Sequence, residues 1–165
     1  RVHFLLDVWS DIQDEELAQN WTFTLVGDGV TLNDEKEYAK KINCKRVEFT
    51  GFQDPRPYYE KAEILTMASN SEGFGMVLVE AQQYGCVPVA LDSFSAVHDI
   101  IENGRNGVLV EDSNREKYGK ELLELIRKED IRRTIAKNAL QDCKKFSVKN
   151  IVDQWENLFR EVVAE

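Results

Sequence analysis

Cysteine, histidine and proline are scarce in this 165-residue chain: three cysteines, two histidines and three prolines. Cys44, Cys86 and Cys143 lie far apart and no Cys-x-x-Cys occurs. That count excludes a disulfide framework and points to a reducing compartment. With only His3 and His98 to add and no paired Cys, the count also argues against a structural zinc site. Basic charge is in deficit, 21 Lys and Arg against 30 Asp and Glu for a net −9, which argues against a nucleic-acid surface. No apolar run approaches the roughly 18 residues that cross a bilayer, and no charged–apolar–small signal segment opens the chain. There is no internal repeat, low-complexity tract or linker. An initial Met is lacking as well. Arg1 leads straight into a helical pattern, so the chain is expected to be a piece of a longer protein.

What is present suits one globular domain. Apolar residues make up 42% and charged residues 31%, and a domain of this length buries roughly two-thirds of its unfolded surface. Val2, Leu5, Leu6, Trp9 and Ile12 recur at helical steps and predict a helix from Val2 to about Leu17. His3 lies beside that face and is expected at the surface. Thr22–Val26 is β-rich and stops in Gly27-Asp28-Gly29, a βα corner first and a ligand-facing loop second; a dinucleotide fingerprint would need a third glycine. A polar helix follows from Asn33, its expected cap, to about Ile42. Arg46–Thr50 is a strand ending at Gly51. Phe52–Pro57, with two prolines, reads as a loop, and Tyr58, Tyr59 and Ala62 begin a short helix.

Ile64–Ala68 is a continuous apolar run, as a buried parallel strand requires. Val87–Leu91 and Gly107–Val110 are further strands, separated by a loop at Asp92–Ser95 and a helix through Val97, Ile100 and Ile101. Cys86, in Gly85-Cys86-Val87-Pro88, is expected to be a small buried hydrophobe. Three amphipathic helices close the chain: Asn114–Arg127, Asp130 to about Lys144, and Ser147–Val163 with Ser147 as cap. The last carries Ile151, Trp155, Leu158, Phe159 and Val162, which must pack on something. Five strands alternating with helices predict a parallel, doubly wound α/β fold. The loops Gly27–Gly29, Gly51–Pro55, Ser69–Gly75 and Asp92–Ser95 all leave strand carboxyl ends and should line one crevice.

Ser71-Glu72-Gly73-Phe74-Gly75-Met76-Val77-Leu78-Val79-Glu80-Ala81 stands out within this pattern. Two carboxylates eight positions apart enclose a two-glycine loop and an apolar helix start. The glycines admit close backbone approach, and a helix beginning near Gly75 and stopping at Gly85 directs free amides and partial positive charge at the crevice. Phosphate is the natural guest. Glu80 shares a face with Val77 and Tyr84, so it should be shielded and held, able to accept two hydrogen bonds from vicinal hydroxyls such as those of a ribose. Glu72 would reach hydroxyls beyond the phosphates. The bland alternative stays open: Glu72 as a solvated charge favourable with the helix dipole and Glu80 as a helix-edge residue.

The motif Glu72-Gly-Phe-Gly-Met-Val-Leu-Val-Glu80-Ala resembles the E-x7-E motif of retaining glycosyltransferases of the GT-B fold, family 4 (group 1). Val47–Gly51 with Tyr58-Tyr59 and Ala62-Glu-Ile resembles the stretch ahead of it. Gly85–Val89, the loop at Asp92, Asn103–Val110 and Lys145-Phe-Ser147 resemble the stretch after it. The resemblance implies a Rossmann-like parallel sheet flanked by helices, the C-terminal, donor-binding half of a GT-B enzyme. It implies that Glu72 contacts donor-sugar hydroxyls as the catalytic residue. Phe74, Gly75, Met76 and Val77 would offer backbone amides to sugar and diphosphate, Glu80 would bind the ribose, and Phe52 and Gln53 would lie near the base. No cofactor or metal is implied. The implied partners are a nucleotide-sugar donor and a glycan or lipid-linked acceptor, in polysaccharide or glycolipid synthesis in the cytoplasm, with peripheral contact to the inner face of the membrane as one setting.

In the family a strand, a Gly-Arg turn and a Lys precede the segment that Arg1-Val-His-Phe-Leu-Leu resembles, and Arg and Lys grip the diphosphate. Those cations and the N-terminal acceptor domain are expected upstream of Arg1, so the chain alone is expected to be inactive, with self-association of the fragment left open. Two rival functions also stay open: a non-catalytic nucleotide- or glycan-binding module, and a nucleotide-sugar epimerase of the same fold.

Overall fold

The computed structural model describes residues 1–164, residue 164 by its backbone alone. Helix α1 spans Val2–Ile12 and buries Leu6, Val8, Trp9 and Ile12. It ends short of Leu17. Gln13 is buried, its Oε1 accepting from Lys45 N at 2.5 Å and its Nε2 donating to Asn43 O at 3.1 Å. The acids Asp14–Glu16 would sit badly at a helix carboxyl end, and the chain turns instead into a 3₁₀ helix at Glu16–Asn20.

Strand β1 (Phe23–Val26) pairs in parallel with β2 (Val47–Gly51) across helix α2 (Leu32–Lys41). Asn33 does not cap α2. Thr31 holds the cap position without a side-chain bond, and Asp34 and Glu35 in the first turn answer the helix dipole. Helix α3 (Arg56–Tyr59) begins inside the expected loop. Pro57 falls in its first turn, where a missing N–H leaves no helical bond unmade.

Strands β3 (Ile64–Met67), β4 (Val87–Asp92) and β5 (Val108–Glu111) form a second parallel sheet in that order, joined through α4 (Met76–Gln83) and α5 (Val97–Ile100). Every strand pairing is parallel, yet the five strands are hydrogen-bonded as two sheets and not one. Among the described residues β1 pairs only with β2 and β3 only with β4, so β1 and β3 each keep an open edge.

One core carries both sheets. Val8, Trp9 and Ile12 of α1 and Tyr118, Leu122 and Leu125 of α6 (Arg115–Arg127) pack under Val87, Val89, Leu91, Val108 and Val110, with Phe23 and Val47 against them. Leu78 and Val79 of α4 and Val97 and Ile100 of α5 form a second cluster with Met67 and Ala90. Helices cover both faces, and β4 is buried along all but its last residue. The fold is Rossmann-like.

Asn114 caps α6, accepting from Lys117 N at 3.0 Å. After α7 (Glu129–Asp142) and a 3₁₀ turn (Cys143–Phe146), Ser147 caps α8 (Val148–Ala164) through Asn150 N at 3.3 Å. Helix α8 rests on that turn, but Val152, Trp155, Leu158, Phe159 and Val162 stay exposed. Their expected packing partner is not found among the described residues. Nor, among those residues, is any helix long and apolar enough to cross a membrane.

Candidate functional site

Parallel strands deliver their carboxyl-end loops to one side of the molecule, and the loops meet in pairs. Gly27 N donates to Gly51 O at 2.9 Å. Ser93 Oγ donates to Ser69 O at 2.5 Å. Arg1 stands beside that second pair, donating to Ser69 O at 3.3 Å, but its charge is engaged by Asp112 at 2.7 Å.

The Glu72–Gly75 loop is held from within. Phe74 turns its ring inward, edge-on to Phe146 at 5.4 Å, so its backbone is what it offers outward. Gly75 is buried and takes φ +94° at the cap position of α4, a conformation glycine adopts without steric cost. The ring of Phe94 lies against it. No side chain caps α4. Leu78 N bonds back to Gly75 O at 2.9 Å, and the amides of Met76 and Val77 have no partner within the helix. Both side chains are exposed, Met76 by 54%. An uncapped helix start at strand carboxyl ends is a site for an anion.

Glu72 is exposed on the loop and makes no side-chain bond among the described residues. Glu80, one turn inside α4, is half-buried and faces α3, where Tyr59 donates its hydroxyl to Oε2 at 3.0 Å. Tyr59 is 8% exposed and stacks on Tyr84 at 5.7 Å. Burial first, then the hydrogen bond to Glu80, pushes its phenol well above the ordinary range, so it stays a donor. Phe52, 85% exposed, and Gln53 lead from β2 into α3. The candidate base loop and Glu80 are thus joined through one short helix. Tyr59 and Phe94 were not singled out by their residue types alone; the signal available for Tyr59 was its aromatic pairing with Tyr58 ahead of the motif.

Two hollows lie elsewhere on the surface. One of about 240 Å³ lies over Leu25–Gly29 and Phe49. The other, about 730 Å³, is walled by Asp92, Glu102, Glu111 and Asp112, with His98 Nε2 at 2.8 Å from Asp92. Neither is lined by Glu72 or Glu80, which stand on a more open surface. No cluster of three or more metal-ligating side chains is assembled among the described residues. Cys86 is wholly buried, and burial pushes its thiol up to about 12, as a small core residue requires.

The chain is 31% identical over 150 residues to an alpha-1,4-N-acetyl-D-galactosaminyltransferase of Campylobacter jejuni named for a GalNAc-bearing diNAcBac-PP-undecaprenol; the match takes in 90% of this chain and 42% of that protein. The chain therefore spans less than half the length of that relative. Among solved structures it resembles S. aureus TarM bound to UDP, alpha-GlcNAc-glycerol and fondaparinux, with a TM-score of 0.86 and 25% identity over 96% of this chain and 32% of that one. It also resembles the C-terminal domain of a glycosyl transferase group 1 family protein of Francisella tularensis, with a TM-score of 0.78 and 25% identity over 88% of this chain and 79% of that one. Residues 1–142 match the family model described as Glycosyl transferases group 1, and this chain belongs to that family.

Proposed function

We propose that this chain is the donor-binding part of an enzyme that moves a sugar from a nucleotide-sugar to an acceptor hydroxyl with retention at the anomeric carbon. The observation that carries the reading is the placement of Glu72 and Glu80 about the uncapped start of α4 at the strand carboxyl ends. The diphosphate would lie on the amides of Phe74, Gly75, Met76 and Val77. Glu72 would bind hydroxyls of the donor sugar, Glu80 the ribose, and Phe52 and Gln53 would border the base. In the transfer the acceptor oxygen bonds to the anomeric carbon, the bond from that carbon to the diphosphate oxygen breaks, and the nucleoside diphosphate leaves with the electron pair and takes up the proton of the acceptor hydroxyl. Stabilising that growing charge is the main catalytic task. Within this chain it falls to the helix amides; no metal is assigned. A UDP-bound structural relative supports a nucleotide guest. The undecaprenol-linked relative supports a role in glycan or glycolipid assembly in the cytoplasm, with acceptor and membrane contacts made outside this chain.

The test is transfer by the native protein carrying this chain. It is incubated with UDP-, GDP- and ADP-sugars and glycan or lipid-linked acceptors, and the product's anomeric configuration is read by NMR. Transfer with retention, lost in Glu72→Ala, is expected. Inversion, or an epimer or free sugar formed without acceptor, would overturn the proposal.

A further inference from the structure

We infer that Tyr59 is a positioning residue for Glu80, an inference that rests on the ribose reading of that carboxylate. The hydroxyl of Tyr59 donates to Glu80 Oε2 at 3.0 Å and is the only side chain bonded to Glu80 among the described residues. An ionised carboxylate has about four acceptor positions. One is taken by Tyr59, and those of Oε1 are left for the paired hydroxyls of a ribose.

Tyr59 is itself fixed. It packs with Ala81 and Cys86 and stacks on Tyr84, the residue one turn beyond Glu80. Its amide donates to Pro55 O at 3.0 Å, and Pro55 and Pro57 stiffen the start of α3. The donor therefore comes from a rigid ring on a rigid turn, and it holds a flexible Glu side chain in one rotamer before any ligand arrives. Pre-organisation of this kind removes part of the ordering cost of binding. It also reaches the base loop, because Phe52 and Gln53 enter α3 three to four residues ahead of Arg56 and Tyr59 follows within the same turn.

The test uses the native protein with UDP, GDP and ADP, each beside its 2′,3′-dideoxy form, in wild type, Tyr59→Phe, Glu80→Ala and the double variant. Tyr59→Phe keeps the ring and its packing. It should weaken the ribonucleotide by about three- to tenfold, the scale of one ordinary intramolecular hydrogen bond. It should leave the dideoxy form unchanged and add nothing in the Glu80→Ala background. A merely structural Tyr59 would lower both nucleotide forms alike, or lower binding equally with and without Glu80, and either result overturns the inference. Should Glu80→Ala weaken the ribonucleotide while Tyr59→Phe does not, the positioning role alone falls. If Glu80→Ala leaves ribonucleotide binding intact, or no nucleotide binds wild type, the ribose reading falls and the inference with it.

Discussion

The ring of Phe94 stands where Gly75 would carry a side chain: a Cβ on Gly75 would lie 3.1 Å from Phe94 Cζ and 3.5 Å from Leu78 Cδ1. The turn that turns Phe74 inward and leaves the α4 amides open needs both the left-handed backbone of Gly75 and this close contact. Gly75→Ala should lower stability by about 1–2 kcal/mol through backbone strain alone. It should weaken nucleotide-diphosphate binding at least about tenfold, because the amides shift with the turn. Urea denaturation and titration of UDP, GDP and ADP into the same samples check this. Loss of stability with binding intact would detach the turn from the site.

Tyr118 braces the strand that launches the motif. Its hydroxyl accepts from Met67 N at 3.1 Å and donates to Val89 O at 2.6 Å, wholly buried. Tyr118→Phe leaves that amide and carbonyl short of a partner and should cost about 1–3 kcal/mol, read as a lower urea midpoint with an unchanged slope. No measurable cost would mean that the strand ends do not depend on this contact.

Stability should fall in alkali. Burial, with Asp7 adding for Cys44 and Glu63 for Cys86, raises the thiols from an ordinary 9.0 to about 11 and about 12. The folded chain holds these protons more tightly than the unfolded chain. The contribution is therefore complete below about pH 9 and lost as pH rises through 11 towards 12. Urea midpoints at pH 8 and pH 10.5 should differ in that direction, and Cys86→Ala should reduce the difference. A midpoint that rises with pH would contradict it.

Helix α8 shows Trp155, Leu158, Phe159 and Val162 to solvent, with Trp155 and Phe159 rings 5.6 Å apart. An apolar stripe of this kind promotes association. The 165-residue chain should sediment with a concentration-dependent mass, and Leu158→Glu with Phe159→Glu should return it to monomer with its circular dichroism unchanged. A monomer at every concentration tested would show that α8 is tolerated bare.

The architecture was legible because its strands are short, apolar and separated by amphipathic helices: the runs Ile64–Ala68 and Val87–Leu91 form β3 and β4, and the central β4 is buried while β3, at an open edge, is half-buried along all but Met67. The cap Ser147 was legible for the same local reason, a polar side chain ahead of an apolar period, whereas Asn114 was read only as the start of its helix. Misplaced boundaries arose where distant residues decide. Gln13 ends α1 by bonding to Asn43 and Lys45, which periodicity does not contain, and Pro57 was taken as a breaker although a first helical turn accepts it. The division into two sheets is likewise a matter of which edges meet. Of the site, the two glutamates and the glycine turn were visible as residue types at a spacing. Tyr59 against Glu80 and Phe94 against Gly75 were not, because neither contact is local in sequence.

Calorimetric titration of UDP, GDP and ADP into the native protein, wild type beside Glu80→Ala, bears most directly on the donor site. One nucleotide should bind wild type, and Glu80→Ala should weaken it at least about tenfold, near 1.4 kcal/mol, with the fold intact by circular dichroism. Equal binding of every nucleotide by both proteins would show that Glu80 does not hold the ribose.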